Sequence, residues 1–377
     1  MTKFASGCLA PLAKGWPGHA ELYRDSQRKG SSALRSKKLV SLTCAGLLAG
    51  CVYGLSAAVA SAATPTLNGA GSTLVAPIEA EWAAVWDTAN STLVNYSPVG
   101  SGTGEKDIAA GLVDFGASDA PLSVYSGVPA NIVQIPWALT ATGVSYHLNG
   151  LKPRGSTLKL TGPVLAQIYL GQITKWNSKA IKALNPGVKI PNKSITVFFR
   201  SDGSGDTYAF TRYLSDVSGT FAGKVGSSTT VAFPVGVGAK GNQGMAQALE
   251  STNGGIAYIA VSYLIANKLP AVAIKNAAGN YEVPNLSAIA AAASGISVPP
   301  GNEVTIVNPG KRRKTAYPIS TFTYAFVPTN AAQGGLIKSF ISDAITQGQN
   351  FGPSLDFSPL PPSVVAADQA TLNSISG

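Results

Sequence analysis

The sequence predicts an α/β protein with mostly parallel sheets, and two observations carry that expectation. Short β-type runs alternate with amphipathic segments along most of the 377 residues, the order in which strands and covering helices are wound. Four of those runs pass through a Gly/Ser/Thr loop into a helix. The loops are Gly69-Ala70-Gly71-Ser72-Thr73, Gly100-Ser101-Gly102-Thr103-Gly104, Arg200-Ser201-Asp202-Gly203-Ser204-Gly205-Asp206-Thr207 and Gly236-Val237-Gly238-Ala239-Lys240-Gly241-Asn242-Gln243-Gly244. A helix start presents backbone N–H groups with no internal partner, glycine lets a ligand approach them, and hydroxyls add donors. Ligands of open α/β sheets collect outside the carboxyl ends of the strands, where these loops fall. Several such ends meeting at one point would cage a small oxyanion.

The elements follow in order. After the first loop, Ile78, Trp82, Val85 and Trp86 recur at helical spacing, with Pro77 in a tolerated first-turn position. Leu93–Tyr96 reads as a strand, followed by the second loop and a helix through Ile108 and Leu112. Val113–Ala117 reads as a buried strand ending in Ser118-Asp119-Ala120-Pro121. Ile132–Ile135 and Gly143–His147 read as two strands flanking Pro136-Trp137. Thr161-Gly162-Pro163 caps a helix that carries Val164, Leu165, Ile168 and Tyr169. Ile195–Phe199 is a β-type run feeding the charged loop and a helix through Phe210, Tyr213 and Leu214. Ile256–Ile259 is a further strand, Leu286–Ala293 a helix, Tyr317–Val327 a long strand and Leu336–Ile345 an amphipathic helix.

Hydrophobic residues make up 45% of the chain and charged ones 12%, which supports a packed core and excludes a disordered chain. The net charge of +10 is misleading as a nucleic-acid footprint. Residues 1–50 hold eight Lys/Arg and two Asp/Glu, and the remainder twenty and sixteen, an ordinary balance for a domain of that size. Cys8, Cys44 and Cys51 all precede the body, and His147 is its one imidazole. No disulfide framework and no Cys/His metal cluster is available there, so no metal and no cofactor is expected.

Arg35, Lys37 and Lys38 precede an uncharged stretch from Leu39 to Ala63, the arrangement of an export signal. Residues 1–63 therefore form a leader. Two cleavage readings stand: Ala60-Ser61-Ala62 as a small-x-small site, or Leu48-Ala49-Gly50-Cys51 as a lipobox with Cys51 lipidated. An uncleaved membrane anchor is the third. Residues 1–34 are too long and polar for a usual n-region and read as a misassigned start.

Other motifs fail. Neither Gly223-Lys224 nor Gly310-Lys311 continues into Ser or Thr, so no P-loop is present. The dinucleotide fingerprint lacks its third glycine. Gly116-Ala117-Ser118-Asp119-Ala120 resembles a nucleophile elbow, but its triad would need His147, which sits in an apolar strand-type run and reads as a core residue. Lys311-Arg312-Arg313-Lys314 reads as a solvated loop rather than a nucleic-acid patch.

Six segments together resemble the substrate-binding proteins of bacterial high-affinity phosphate ABC importers. They are Leu67-Asn68-Gly69-Ala70-Gly71-Ser72-Thr73, Gly100-Ser101-Gly102, Val113-Asp114-Phe115-Gly116-Ala117-Ser118-Asp119-Ala120-Pro121-Leu122, Arg200-Ser201-Asp202-Gly203-Ser204-Gly205, Gly254-Gly255-Ile256-Ala257-Tyr258 and Tyr317-Pro318-Ile319. The resemblance runs from about Thr66 to the C-terminus. It implies a two-lobed type II periplasmic-binding-protein fold with a ligand cleft between lobes. Residues 64–139 and 316–377 would form one lobe and 140–315 the other, with crossings near Thr140–Val144 and Tyr317–Thr323. It implies extracytoplasmic binding of inorganic phosphate, delivery to the transmembrane subunits of an ABC permease, and no catalysis. The protein would be an exported monomer, in the periplasm or on the outer face of the cell membrane, attached to that membrane if Cys51 is lipidated.

Carried over by position, Thr73 would donate its hydroxyl to phosphate, Leu74 its N–H, and Ser101 both. Asp119 would accept from the ligand, Arg200 would clamp two oxygens with Asp202 holding the guanidinium, and Ser204 and Gly205 would donate at a helix start. Leu74 stands where the family usually has Phe, and Asp206 where it often has Thr. Asp206 would contribute only its N–H or act as a second acceptor. The physics agrees with the pattern: Arg suits bidentate oxyanion binding, and an ionised carboxylate only accepts, so Asp119 would admit a protonated oxyanion and repel sulfate. Helix capping is the competing role for Thr73, Ser101 and Ser204, a turn before Pro121 for Asp119, and a surface ion pair with Asp202 for Arg200. A secreted phosphoester hydrolase and a surface phosphate sensor, or a protein for another oxyanion, are the alternative functions.

Overall fold

Residues 64–376 are described by the computed structural model, and they lie within one compact unit, Ala62–Gly377. The leader, Cys51 and both cleavage sites fall outside the described residues. The strands are β1 (Thr66–Gly71), β2 (Leu93–Ser97), β3 (Phe115–Ser118), β4 (Ile132–His147), β5 (Lys159–Leu160), β6 (Thr196–Arg200), β7 (Val237–Ala239), β8 (Gly255–Ala260), β9 (Ala273–Lys275), β10 (Tyr281–Glu282) and β11 (Ser320–Pro328). Eight of them form one sheet in the order β2-β1-β3-β11-β4-β8-β6-β7, and β10-β9-β5 form a second.

The larger sheet is mixed, with four of its seven strand pairs parallel, in keeping with the expected mostly parallel sheets. Parallel pairs, β1 with β2 and β3, and β6 with β7 and β8, form two wings. Between them β11 runs antiparallel to β3 and β4, and β4 antiparallel to β8. The two strands expected on either side of Pro136-Trp137 are one strand of sixteen residues. Proline has no N–H to give a ladder and is tolerated in strands at irregularities. Here Thr323 pairs with Ala138 and Tyr324 with Pro136, leaving Trp137 as the extra residue of a bulge. Up to Ala141, β4 pairs with β11; from Thr142 it pairs with β8. One strand thus joins the wings.

The helices are α1 (Ala76–Asn90), α2 (Ser101–Ala109), α3 (Gly162–Tyr169), α4 (Lys179–Leu184), α5 (Gly205–Val217), α6 (Gly219–Lys224), α7 (Gly241–Glu250), α8 (Val261–Ala266), α9 (Leu286–Ala293), α10 (Gly334–Ala344) and α11 (Pro362–Leu372). Among the described residues no helix is long and apolar enough to cross a membrane. Each wing has its own aromatic centre. In one, Trp137 lies 5.3 Å from Trp82 and 5.8 Å from Phe115, and Trp86 meets Phe340 edge-on at 5.4 Å. In the other, Phe210 stacks on Tyr258 at 4.4 Å and meets Tyr169 at 4.6 Å. These side chains are buried, and full burial of each stabilises the fold by roughly 1.5–3 kcal/mol.

Candidate functional site

Five loops at the carboxyl ends of strands converge where the wings meet, that after β2 bringing Ser101. β1 runs into Ser72-Thr73 and α1, and β3 ends at Ser118 beside Asp119. β6 runs into Asp202–Ser204 and α5, and β7 leads into α7. Ser101 and Gly205 are the first residues of α2 and α5, positions whose N–H groups have no intrahelical partner.

Arg200 ends β6, and its own N–H donates to the Tyr258 hydroxyl at 2.9 Å. Tyr258 also shares a 2.7 Å hydrogen bond with Thr207 on α5, so one core tyrosine fixes both the strand end and the helix that follow the charged loop. The guanidinium is buried. Its Nε and one terminal nitrogen donate to the two oxygens of Asp202 at 2.8 and 2.5 Å, and the other terminal nitrogen to Asp206 at 3.1 Å. A guanidinium has five N–H groups in a planar fork. Three are spent, leaving one on each terminal nitrogen, the pair that can grip two oxygens of one anion. Burial opposes the charge of Asp202, but the bond and charge of Arg200 and the Gly241 N–H hold its carboxyl below the ordinary range.

Asp206 is fully buried. One oxygen accepts from Thr142 at 2.6 Å, the other from Arg200 and from Asn242 Nδ2 at 2.8 Å. Burial raises its pKa, with Arg200, Thr142 and Asn242 pulling the other way. Asp119 accepts from Ser72 Oγ at 2.5 Å and from Ser101 Oγ at 3.3 Å. Burial first, and the nearby charge of Asp206 second, push its carboxyl up to about 8, while Ser72, Arg200 and Ser101 work against that. The cluster sets one cation against three carboxylates, so burying it favours a proton on one of them.

The loops of the two wings touch. Gly205 N–H donates to Ser101 Oγ at 3.0 Å, Gly102 N–H to Gly203 O at 3.0 Å, and Asn242 Nδ2 to Thr73 Oγ1 at 2.9 Å. Two glycines make this approach feasible. A Cβ on Gly205 would lie 2.4 Å from Asp119 Cβ, and one on Gly100, whose φ is +101°, would lie 2.6 Å from Asp202 Oδ2.

Thr73, Ser101, Asp119, Arg200 and Gly205 are thus brought together, with Asp202 and Asp206 around the guanidinium. Ser204 is the N-cap of α5 and accepts from Thr207 N–H at 3.4 Å. Leu74 N–H is turned back onto Ser72 Oγ at 3.0 Å. Four neighbours of the cluster were not singled out from sequence: Ser72, Thr142, Asn242 and Tyr258. Ser72 and Asn242 lie in two of the Gly-rich loops and Tyr258 in a quoted segment, so their signal was present. Thr142 lies inside a strand and gave none. His147 is at the far end of β4, paired with Gly255, with Nδ1 3.2 Å from the Leu249 carbonyl.

Residues 56–343 match a family model described as a PBP superfamily domain. The phosphate-binding protein PstS of Xylella fastidiosa (strain Temecula1) is 36% identical over 307 residues, spanning 81% of this chain and 84% of that one. PstS of Pasteurella multocida is 34% identical over 308 residues, spanning 81% and 89%. This chain belongs to the PstS-type phosphate-binding protein family. Among solved structures, a high-affinity periplasmic phosphate-binding protein (PfluDING) bound with phosphate superposes with a TM-score of 0.64 at 22% identity, over 81% of this chain and 93% of that one. The fold is accordingly the two-lobed type II periplasmic-binding architecture.

Proposed function

We propose that this family member binds inorganic phosphate between its wings and hands it to an ABC permease, without catalysis. The single observation that carries the reading is the buried Arg200 fork, with two N–H groups left over, in the same cage as the buried, proton-favouring Asp119. An oxyanion there would take the Arg200 pair, the Ser101 hydroxyl and N–H, the Thr73 hydroxyl and the Gly205 N–H. Asp119 would share a proton with one of its oxygens. Ser204 would act by capping α5. Leu74 would contribute once Ser72 releases its N–H. Asp206 would hold Arg200 and Asn242 in place.

The lobes would be 64–141 with 319–377, and 142–318, exchanging at Ala141/Thr142 on β4 and at Ser320 on β11. A loop of the second lobe reaches across: Gly301 O and Asn302 Nδ2 bond to Gln134, and Asn302 Nδ2 also to Asp368. Opening about β4 and β11 would admit the ligand and closure would desolvate it. The exported chain would act as a monomer, held at the membrane by Cys51 if the lipobox is used; mass spectrometry of the native N-terminus distinguishes that from cleavage near Ala63.

Isothermal titration calorimetry tests the function. The expected result is tight binding of one phosphate per chain. An absence of heat with phosphate, in a chain that melts cooperatively, would overturn the reading.

A further inference from the structure

The run from Ala120 to Ser201 contains nine Lys/Arg and not one Asp or Glu. Arg200 is the site residue; the other eight are exposed. They adjoin one another through the backbone. Lys152 and Lys189 face each other in an antiparallel bridge, with N–H to O distances of 3.3 and 2.8 Å. Trp176 N–H bonds to Lys193 O beside Lys175, and Ser178 N–H bonds to Lys175 O at the start of α4, which carries Lys179 and Lys182. Asn185, just past α4, bonds to both backbone groups of Lys159. Lys159 and Lys275 share the Tyr281 ring at 5.3 and 5.9 Å. Among the described residues the ion pairs are Arg200 with Asp202 and Asp206, and Arg212 with Asp216, so no carboxylate neutralises these lysines.

Position separates this surface from the cleft. Lys193 and Lys175 lie at the amino end of β6, and Arg200 is at its carboxyl end, about 13 Å further on at ~3.3 Å per residue. That exceeds the Debye length of about 8 Å at physiological salt, so the lysines do little to hold an anion at Arg200. A second copy of the chain does not fit as occupant. Residues 64–141 and 319–377 carry ten acids and two bases, four of the acids buried and six half-buried, and among the described residues the exposed acids are Asp216, Glu250 and Glu303, too few to match the lysines. The exposed large apolar residues of this half are three, Val235, Val237 and Ile265, so charge dominates its surface. Seven of its eight charges are lysine, a hydrated point charge without a guanidinium fork. Such a spread suits a diffuse layer of charge, and lysines are drawn to an anionic leaflet.

We propose that the lysine pole at the amino end of β6 docks electrostatically on an anionic lipid bilayer, standing the protein on the membrane by a surface remote from its cleft. This stands independently of what the cleft binds.

The test compares the full chain with a full-length variant in which Lys152, Lys175, Lys179, Lys182, Lys189 and Lys193 are changed to Gln, so that any contribution of residues 1–63 is common to both. Sedimentation with vesicles of 70% phosphatidylcholine and 30% phosphatidylglycerol is expected to show at least tenfold weaker partitioning of the variant. The difference should vanish in 0.5 M salt and on pure phosphatidylcholine. Thermal melting of both chains, expected to be equally cooperative, reports whether the variant folds; if it does not, single Lys152→Gln and Lys193→Gln changes replace it, each expected to weaken partitioning by a measurable fraction. Equal partitioning of folded wild type and variant overturns the proposal. So does a lysine-dependent binding to soluble poly-glutamate or RNA with none to the vesicles.

Discussion

Asn242 Nδ2 lies 2.9 Å from Thr73 Oγ1 and thereby ties the first turn of α7 to the loop that opens α1. The same nitrogen donates to Asp206, and Asn242 Oδ1 accepts from Ala260 N–H at 2.8 Å. One buried amide thus joins both wings and braces the acid that braces Arg200.

Asn242→Ala should therefore weaken phosphate binding although Asn242 is not itself one of the proposed ligand contacts. It removes hydrogen bonds to a hydroxyl and a carboxylate, worth about 1.5–3 kcal/mol where a charged group is involved. Titration calorimetry should show a loss of roughly tenfold to a hundredfold, with circular dichroism unchanged.

Arg200→Ala and Arg200→Lys separate charge from shape. Alanine leaves the buried Asp119 and Asp206 and the half-buried Asp202 facing one another and should cost about 3–5 kcal/mol of stability, read as a large drop in melting temperature, with no measurable phosphate binding. Lysine keeps a charge but cannot fork. It should restore part of the melting temperature while leaving affinity at least a hundredfold below wild type.

Gly205→Ala should damage closure alone. The added carbon would meet Asp119 Cβ at 2.4 Å only while the wings are together. Small-angle scattering should show that phosphate contracts the wild type but not the variant, while thermal melting without ligand changes little.

How much of this was legible beforehand depended on locality. The loops, the helix starts and the Arg200–Asp202 pair are local, two residues apart or set by glycine and hydroxyl chemistry, and the sequence displayed them. The continuity of β4 through Pro136 was not legible, because the bulge that accommodates the proline is made with β11, nearly two hundred residues away. Thr142 was invisible for a similar reason: only the passage of β4 from one wing to the other brings its hydroxyl to Asp206. The small sheet of β5, β9 and β10 was missed because runs of two or three residues carry no period, and α11 because it shows little amphipathic pattern.

Stability should fall as pH rises, because of buried acids outside the cage. Asp368 has one oxygen 3.3 Å from Asn302 Nδ2 and the other without a partner among the described residues. Burial pushes its pKa up to about 9. Burial and Asp87 push Glu79 up to about 8. Between the ordinary carboxylate range and those values each is protonated folded and ionised unfolded. The folded state then binds more protons, and each raised acid costs about 1.4 kcal/mol of stability per pH unit. Melting temperature should decline from pH 5 to 9, and Asp368→Asn should make the decline shallower.

Sulfate should compete only on the acid side. Asp119 is protonated below about 8 and charged above. When charged it repels a fully ionised tetrahedron, and when protonated it can donate to one. Competition titrations should show sulfate displacing phosphate progressively better from pH 9 to 6, and Asp119→Asn should flatten that dependence to what phosphate's own titration leaves. Strong competition at pH 9 by the wild type would remove Asp119 from its assigned role.

The decisive measurement is a crystal structure of the full chain grown with inorganic phosphate. The expected result is one tetrahedral ligand between the wings, with two oxygens within about 3 Å of the terminal nitrogens of Arg200 and a third at the same distance from Asp119. Phosphate bound elsewhere, or Arg200 and Asp119 on no common ligand, would contradict it.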